Sequence, residues 1–256
     1  MTGDERRAAL DLIADEVRVC TACRLHEGRT RSVPGEGDPD TEVVFVGEGP
    51  GFNEDREGRP FVGRAGGLLV RLLASIGWQR EDVFITNVVK CRPPDNRDPQ
   101  PDEMAACAPF LRRQLEVLDP AVVVTLGRFS MGTFMPGARI GQVHGTTKPA
   151  DPGTGARNAL VFAMYHPAAA LRTAAIEQES FVDVARVPSV LVEARERRAG
   201  GGMAVTATPE PAMISTAAAA PAPAVQPGPA PDPAPHAHAS DPAVPAADDA
   251  SQMTLF

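Results

Sequence analysis

Four short apolar runs set the rhythm of this chain: TEVVFVG at 41 to 47, DVFITNVV at 82 to 89, AVVVTLG at 121 to 127 and ALVFAMY at 159 to 165. They are rich in Val, Ile and Phe and almost unbroken by polar residues, the pattern of strands buried on both faces of a parallel sheet. Between them the period lengthens to that of a helix. In AGGLLVRLLASIG, 65 to 77, residues Leu68, Leu69, Leu72, Leu73 and Ile76 share one helical face, and Gly77 is a stop signal. DEMAACAPFLRRQLEVL, 102 to 118, follows Pro101 and opens with Asp102. This alternation predicts an α/β fold, a three-layer α/β/α domain with right-handed crossovers around a central four-stranded parallel sheet. In such sheets ligands bind at the carboxyl ends of the strands, so the residues just after each run become the functional candidates.

After the first run comes Gly47-Glu48-Gly49-Pro50-Gly51-Phe52-Asn53-Glu54-Asp55, then Gly58-Arg59-Pro60-Phe61-Val62-Gly63. The glycines admit a ligand close to the backbone. Neither G-x-G-x-x-G nor G-x-x-x-x-G-K-[ST] is present, and three carboxylates repel a free phosphate. Glu48, Glu54 and Asp55 suit water activation or the binding of polar hydrogens instead. The second run ends in Thr86-Asn87, whose amide offers the donor and acceptor pair that matches a base edge, although an Asn at a strand end also commonly satisfies loop backbone. Gly127-Arg128 ends the third, as a phosphate contact or simply a helix start. The fourth ends in Tyr165-His166-Pro167, where His166 can donate a hydrogen bond to a developing oxyanion and Pro167 can open a helix.

From about Ala199 onward the sequence becomes Ala, Pro and Gly, with no Lys or Arg and no aromatic residue before Phe256. Such a segment buries too little apolar surface to offset its ordering entropy, which divides the chain into a domain at 1 to 198 and a disordered tail at 199 to 256. The net charge of −8 divides with it: the first 198 residues carry 25 basic against 28 acidic side chains. A bulk electrostatic grip on nucleic acid is therefore excluded, and any DNA contact falls to a local patch drawn from Lys90, Arg92, Arg97, Arg128, Lys148 and Arg172. No run approaches the roughly 20 apolar residues of a membrane span. The chain is expected to act as a monomer.

Cys20 and Cys23 form a C-x-x-C, and fifteen residues separate Cys91 from Cys107, the only other cysteines. Disulfides are disfavoured, because the charged N-terminus does not resemble a signal peptide and predicts a cytoplasmic protein with reduced thiols. Four thiolates suit an iron-sulfur cluster or a structural zinc, and inert buried thiols remain a third reading.

Taken together, GEGPGFNEDREGRPFVGRAGGLL, ITNVVKCRPPDNRDPQPDE, the four cysteines in order and HPAAALR resemble the uracil-DNA glycosylase superfamily, most closely its family 4, the iron-sulfur enzymes. The resemblance covers about residues 10 to 195. It implies uracil-containing DNA as substrate and a 4Fe-4S cluster on Cys20, Cys23, Cys91 and Cys107. It places Gly47, Glu48 and Gly49 in the loop that touches uracil and the attacking water, with Asp55 beside them. Glu54 becomes the wall that rejects the thymine methyl, Phe61 the platform under the base, Asn87 the reader of its edge and His166 the partner of O2. Arg92, Arg128, Leu171 and Arg172 fall to DNA, the last two in a loop that enters the base stack. Position 49 is an aspartate in the best-known branch and glycine in this chain, so the base role is dispersed, moved to Glu48 or Asp55, or unnecessary. The terminal Gln252-Met253-Thr254-Leu255-Phe256 resembles the peptide by which bacterial repair proteins dock into the sliding clamp, Gln252, Leu255 and Phe256 being its anchors.

Overall fold

The computed structural model describes residues 1–200. Its six-stranded sheet consists of β1 (Glu36–Gly37), β2 (Val43–Gly47), β3 (Phe84–Asn87), β4 (Val122–Leu126), β5 (Thr147–Pro149) and β6 (Leu160–Met164), in the order β1-β3-β2-β4-β6-β5. The four apolar runs form the central parallel strands, with Gly47 opposite Asn87 and Leu126 opposite Met164. The register therefore brings their carboxyl ends to one rim. Two antiparallel edge strands were not expected: β1 pairs with β3, and β5 with β6. Each is only two or three residues long and none of their residues is buried, so neither leaves an apolar signature in the sequence.

Alternation along the strands builds two cores. Phe45, Ile85, Val124 and Phe162 face one layer of helices, and Val44, Val46, Val123 and Val161 face the other. On the first side α4 (Arg64–Ser75) contributes Leu68, Leu69, Leu72 and Leu73, all at most 1 % exposed. Each such burial is worth about 1.5–3 kcal/mol. Beside it lie α8 (Pro167–Ala170), α9 (Ala174–Val184) and α10 (Val187–Gly200), the last packing Val187, Val190 and Leu191 into the same core. The second side is covered by α5 (Pro101–Leu118) and α6 (Arg128–Phe134). There α1 (Gly3–Val19), opened by the Thr2–Glu5 capping box, packs against α5 and is followed by α2 (Leu25–Gly28). The short α3 (Phe52–Glu57) follows β2, and α7 (Ile140–Val143) precedes β5.

The layers are those expected, and no helix among the described residues is long and apolar enough to cross a membrane. Ala199 and Gly200, expected to open the disordered tail, close α10 instead; the rest of that tail and its terminal QMTLF lie outside the described residues.

Candidate active site

At the carboxyl rim of the parallel strands opens a cavity of about 610 Å³. Glu48, Gly49 and Glu54 line it from the segment after β2, Asn87 from the end of β3, and His166 from the turn after β6. Phe61, Arg97, Arg128 and Arg172 are the other expected residues that reach it. Gly47 lies beneath. A Cβ at that position would come within 2.4 Å of Asn87 Oδ1 and 2.6 Å of Phe61 Cζ, so only glycine lets the Asn87 amide and the ring sit together.

Asn87 is 1 % exposed, and its Oδ1 has no hydrogen-bond partner among the described residues. An unpaired buried acceptor costs about 1–3 kcal/mol. Because this amide lines the cavity, a ligand N–H would relieve that cost. The Phe61 and His166 rings lie 5.8 Å apart, centroid to centroid. Phe61 sits at a positive φ of 51°, an uncommon conformation for a bulky side chain. Residues the sequence did not single out hold it there. Arg80 donates to the Phe61 and Pro60 carbonyls and to Glu36 of β1, so the unforeseen edge strand fastens the platform. Only spatial proximity links these groups, and no local pattern in the sequence marks them.

The two acidic residues of α3 separate in space. Glu54 accepts from the backbone N–H groups of Gly51 (3.1 Å), Val62 (2.9 Å) and Gly63 (2.8 Å), folding the glycine-rich loop around the cavity. Asp55, expected beside the attacking water, does not line the cavity. It is 3 % exposed, and both its oxygens accept from the Thr30 N–H. One residue of helix turns the side chain about 100° away, so of the two carboxylates expected near the water only Glu48 lines the cavity.

Burial first, and then Asp98, pushes the Glu48 carboxyl up to about 7, with Arg128 opposing. His166 moves the other way, lowered by burial to about 4 against the pull of Glu54. Its Nδ1 accepts from the Ala168 N–H at 3.1 Å, so the neutral ring carries its proton on Nε2. The cavity thus combines a neutral imidazole donor with a carboxylate poised near neutrality.

The basic residues divide as well. Lys90, expected in the DNA-contacting patch, is 1 % exposed; its Nζ donates to Thr86 Oγ1 (2.6 Å), the Asn87 carbonyl (2.7 Å) and Gln114 Oε1 (2.8 Å). It props the end of β3 from behind and is too deeply buried to touch DNA. Arg97 is taken up by Glu103, and Arg128 by Asp98. Arg92 bonds Asn96 and Arg172 is exposed, whereas Lys148 lies on edge strand β5 away from the cavity. Leu171, expected in the loop that enters DNA, is half-buried against the core and does not line the cavity.

The four cysteines meet on a separate small cavity with Val17, Phe110 and Arg29. All are free thiols. Arg29 donates to the Cys91 sulfur at 3.1 Å, the Lys90 N–H to Cys107 at 3.2 Å and the Ala22 N–H to Cys20 at 3.4 Å. Burial pushes Cys107 up to about 11 and Cys91 above its ordinary range. Such thiols become thiolates only when a metal takes up the charge. Among the described residues, no three Cys, His, Asp or Glu side chains converge as closely as ligands of a single metal ion do.

The model of the Uracil DNA glycosylase superfamily matches residues 34–186, the stretch that supplies the whole rim. The type-4 uracil-DNA glycosylase of Saccharolobus solfataricus is 50% identical over 188 residues, 71% of this chain and 86% of that protein. That of Thermotoga maritima is 46% identical over 177 residues, 69% of this chain and 91% of the relative. The Archaeoglobus fulgidus type-4 enzyme is 45% identical over 184 residues, 70% and 92% of the two chains. With family model, relatives and rim in agreement, the chain belongs to the uracil-DNA glycosylase superfamily and, within it, to the type-4 enzymes.

Proposed function

We propose that this protein extrudes uracil from DNA into the 610 Å³ cavity and hydrolyses its N-glycosidic bond, the opening step of base excision repair. The observation that carries the reading is the buried, unpartnered Oδ1 of Asn87. It accepts uracil N3–H while the amide N–H donates to O4. Cytosine presents the opposite order at both atoms, an acceptor at N3 and a donor at N4, and leaves the amide unmet. Flipping the base out of the stack costs a few kcal/mol, and stacking on Phe61 offsets roughly 1–3 kcal/mol of it. Glu54, clasping the loop beside the cavity, sets the wall that excludes the thymine methyl.

As the bond between N1 and the sugar breaks, its electron pair passes into the uracil ring and charge gathers on O2, where the His166 Nε2–H stabilises it. A neutral donor serves better than an imidazolium that would itself give up its proton. Water adds to the sugar carbon and its proton passes to the Glu48 carboxylate; uracil leaves as its N1 anion and takes a proton from solvent, Glu48 releases its own to solvent, and free uracil and an abasic site remain. Gly49 contributes no acid or base, consistent with Glu48 as the residue that positions the water. The test is release of free uracil from a single-stranded oligonucleotide by the purified full chain; no release would reject the reading.

The cysteine cavity fits a 4Fe-4S cluster better than a single zinc. A cluster spreads its four cysteines over the corners of a cube, whereas zinc draws them to about 2.3 Å from one centre. Cys20, Cys23, Cys91 and Cys107 would hold it, with N–H donors already on three of the four sulfurs. Bound there, a cluster would tie Cys20 and Cys23 after the N-terminal helix and Cys107 of α5 to Cys91 in the segment that follows Asn87. Iron and sulfide analysis tests this, zinc in their place being the contrary result.

Residues 199 to 256 serve as a tether ending in a sliding-clamp peptide anchored by Gln252, Leu255 and Phe256, a reading supported by the only Leu and only Phe of an Ala/Pro-rich stretch. The enzyme works in the cytoplasm, where its thiols stay reduced. One copy suffices, since a single chain supplies every wall of the cavity.

A further inference from the structure

Phe52 is 52 % exposed, the one aromatic among the large exposed hydrophobic side chains of the described residues. It does not line the uracil cavity, but it follows Gly51, which does, and its ring lies beside Arg92, whose partner Asn96 also lines the cavity, so it stands just outside the rim. Two guanidinium groups flank its ring: Arg92 at 5.2 Å and Arg56 at 5.7 Å from the centroid. Neither has a carboxylate within 4.0 Å among the described residues, whereas Arg97, Arg128 and Arg24 on the same side each do. In a domain with more acids than bases, an exposed ring between two unneutralised cations beside the reaction cavity needs an account. Phe52 belongs to neither hydrophobic core, and neither cation is paired with a carboxylate among the described residues.

We propose that Phe52, Arg56 and Arg92 form a subsite for the nucleotide next to the extruded uracil on the same strand: its base stacks on Phe52 and its phosphate is held by the arginines. The two cations are not equivalent. Arg92 is anchored, Nε donating to Asn96 Oδ1 at 2.7 Å, and Asn96 itself lines the cavity. Arg56 is exposed on α3 with no hydrogen bond of its own among the described residues. An incoming base takes the ring face that Arg56 covers, and the released guanidinium turns to the phosphate. Aromatic stacking with neighbouring arginines is how strands are held without sequence preference, because every base presents a face. Asn87 recognises the uracil, and this subsite grips the strand beside it.

The inference rests on uracil excision as proposed above, and one experiment separates the two. Single-turnover uracil release is followed against enzyme concentration on three single-stranded oligonucleotides. One is intact, one has an abasic analogue 5′ of the uracil, and one has it 3′. Phe52→Ala is expected to raise the half-saturating enzyme concentration on the intact strand roughly 5- to 100-fold while the limiting rate holds. On the strand lacking the base that stacks, the wild type loses the same factor and Phe52→Ala adds nothing further. Phe52→Trp restores saturation on the intact strand. Unchanged saturation in Phe52→Ala, or a loss that persists in full on both gapped strands, overturns the subsite while leaving excision intact. Absence of release by the wild type would instead overturn the function itself.

Discussion

Glu48 and His166 share one cavity yet are displaced in opposite directions: the shift of His166 favours the neutral donor of the proposed reaction, whereas that of Glu48 works against its ionised form. His166, lowered to about 4 from 6.5, is neutral throughout the working range and sets no limb of the pH profile. Glu48, raised to about 7 from 4.5, is only part ionised near neutrality. The single-turnover rate should therefore rise with pH up to about 7 and then level off, and Glu48→Gln should be slow and flat across that range. Stability runs the opposite way. Between pH 4.5 and 7 the folded chain holds a proton on Glu48 that the unfolded chain has released, so Glu48 lowers stability as pH rises through that window. Glu48→Gln is then expected to be more stable than the wild type at pH 8, by about 1 kcal/mol after allowing for the partly solvated carboxylate. Denaturant titrations at pH 8 and pH 4 check this, the difference vanishing at the lower pH. His166 acts on stability in the other sense: below 6.5 the unfolded ring gains a proton that the folded one refuses, so its contribution falls as pH drops towards 4.

Among the elements, α4 separates two neighbouring glycines that the sequence presents as alike. A Cβ at Gly66 would lie 1.8 Å from the Phe61 carbonyl oxygen, while one at Gly67 meets nothing within 4 Å. Gly67→Ala should stabilise by roughly 0.5–1 kcal/mol, the helix-propensity gain. Gly66→Ala makes the same gain and loses it to backbone overlap, for a net cost of roughly 1–3 kcal/mol, with uracil release impaired through Phe61. Equilibrium unfolding of the two variants measures both signs. This contrast also marks how far the sequence could be read. The four central strands announce themselves because Val, Ile and Phe runs have no other comfortable place, and α4 because five apolar positions share a face. The edge strands β1 and β5 are too short and exposed to show a period. Asn87, His166, Phe61 and Glu48 were legible as strand-end or loop residues of fitting chemistry. Asp55 and Lys90 misled because a carboxylate and an ammonium look solvent-facing in sequence; their burial depends on the phase of α3 and on Thr86 and Gln114 arriving from other elements.

For the molecule as a whole, charge and length separate chemistry from delivery. The first 198 residues carry 28 acidic against 25 basic side chains, and two arginines at the cavity, Arg97 and Arg128, are already paired with Glu103 and Asp98, so long-range attraction to DNA is weak. A tether to a clamp encircling DNA would compensate by raising the local concentration of substrate. Deleting residues 252 to 256 is expected to abolish clamp binding in a pull-down and to leave uracil release from naked oligonucleotides unchanged; clamp binding that survives the deletion would reject the anchor.

The central claim is that the unpartnered amide of Asn87 selects uracil for excision. It is tested most directly by single-turnover base release from matched single-stranded oligonucleotides carrying either uracil or cytosine, with wild type, Asn87→Asp and His166→Ala. The account predicts uracil release by the wild type with no release of cytosine. Asn87→Asp should show a reduced preference for uracil over cytosine, and His166→Ala a rate lower by roughly 10²-fold or more. Asn87→Asp that excises uracil at the wild-type rate and rejects cytosine as strictly would contradict it.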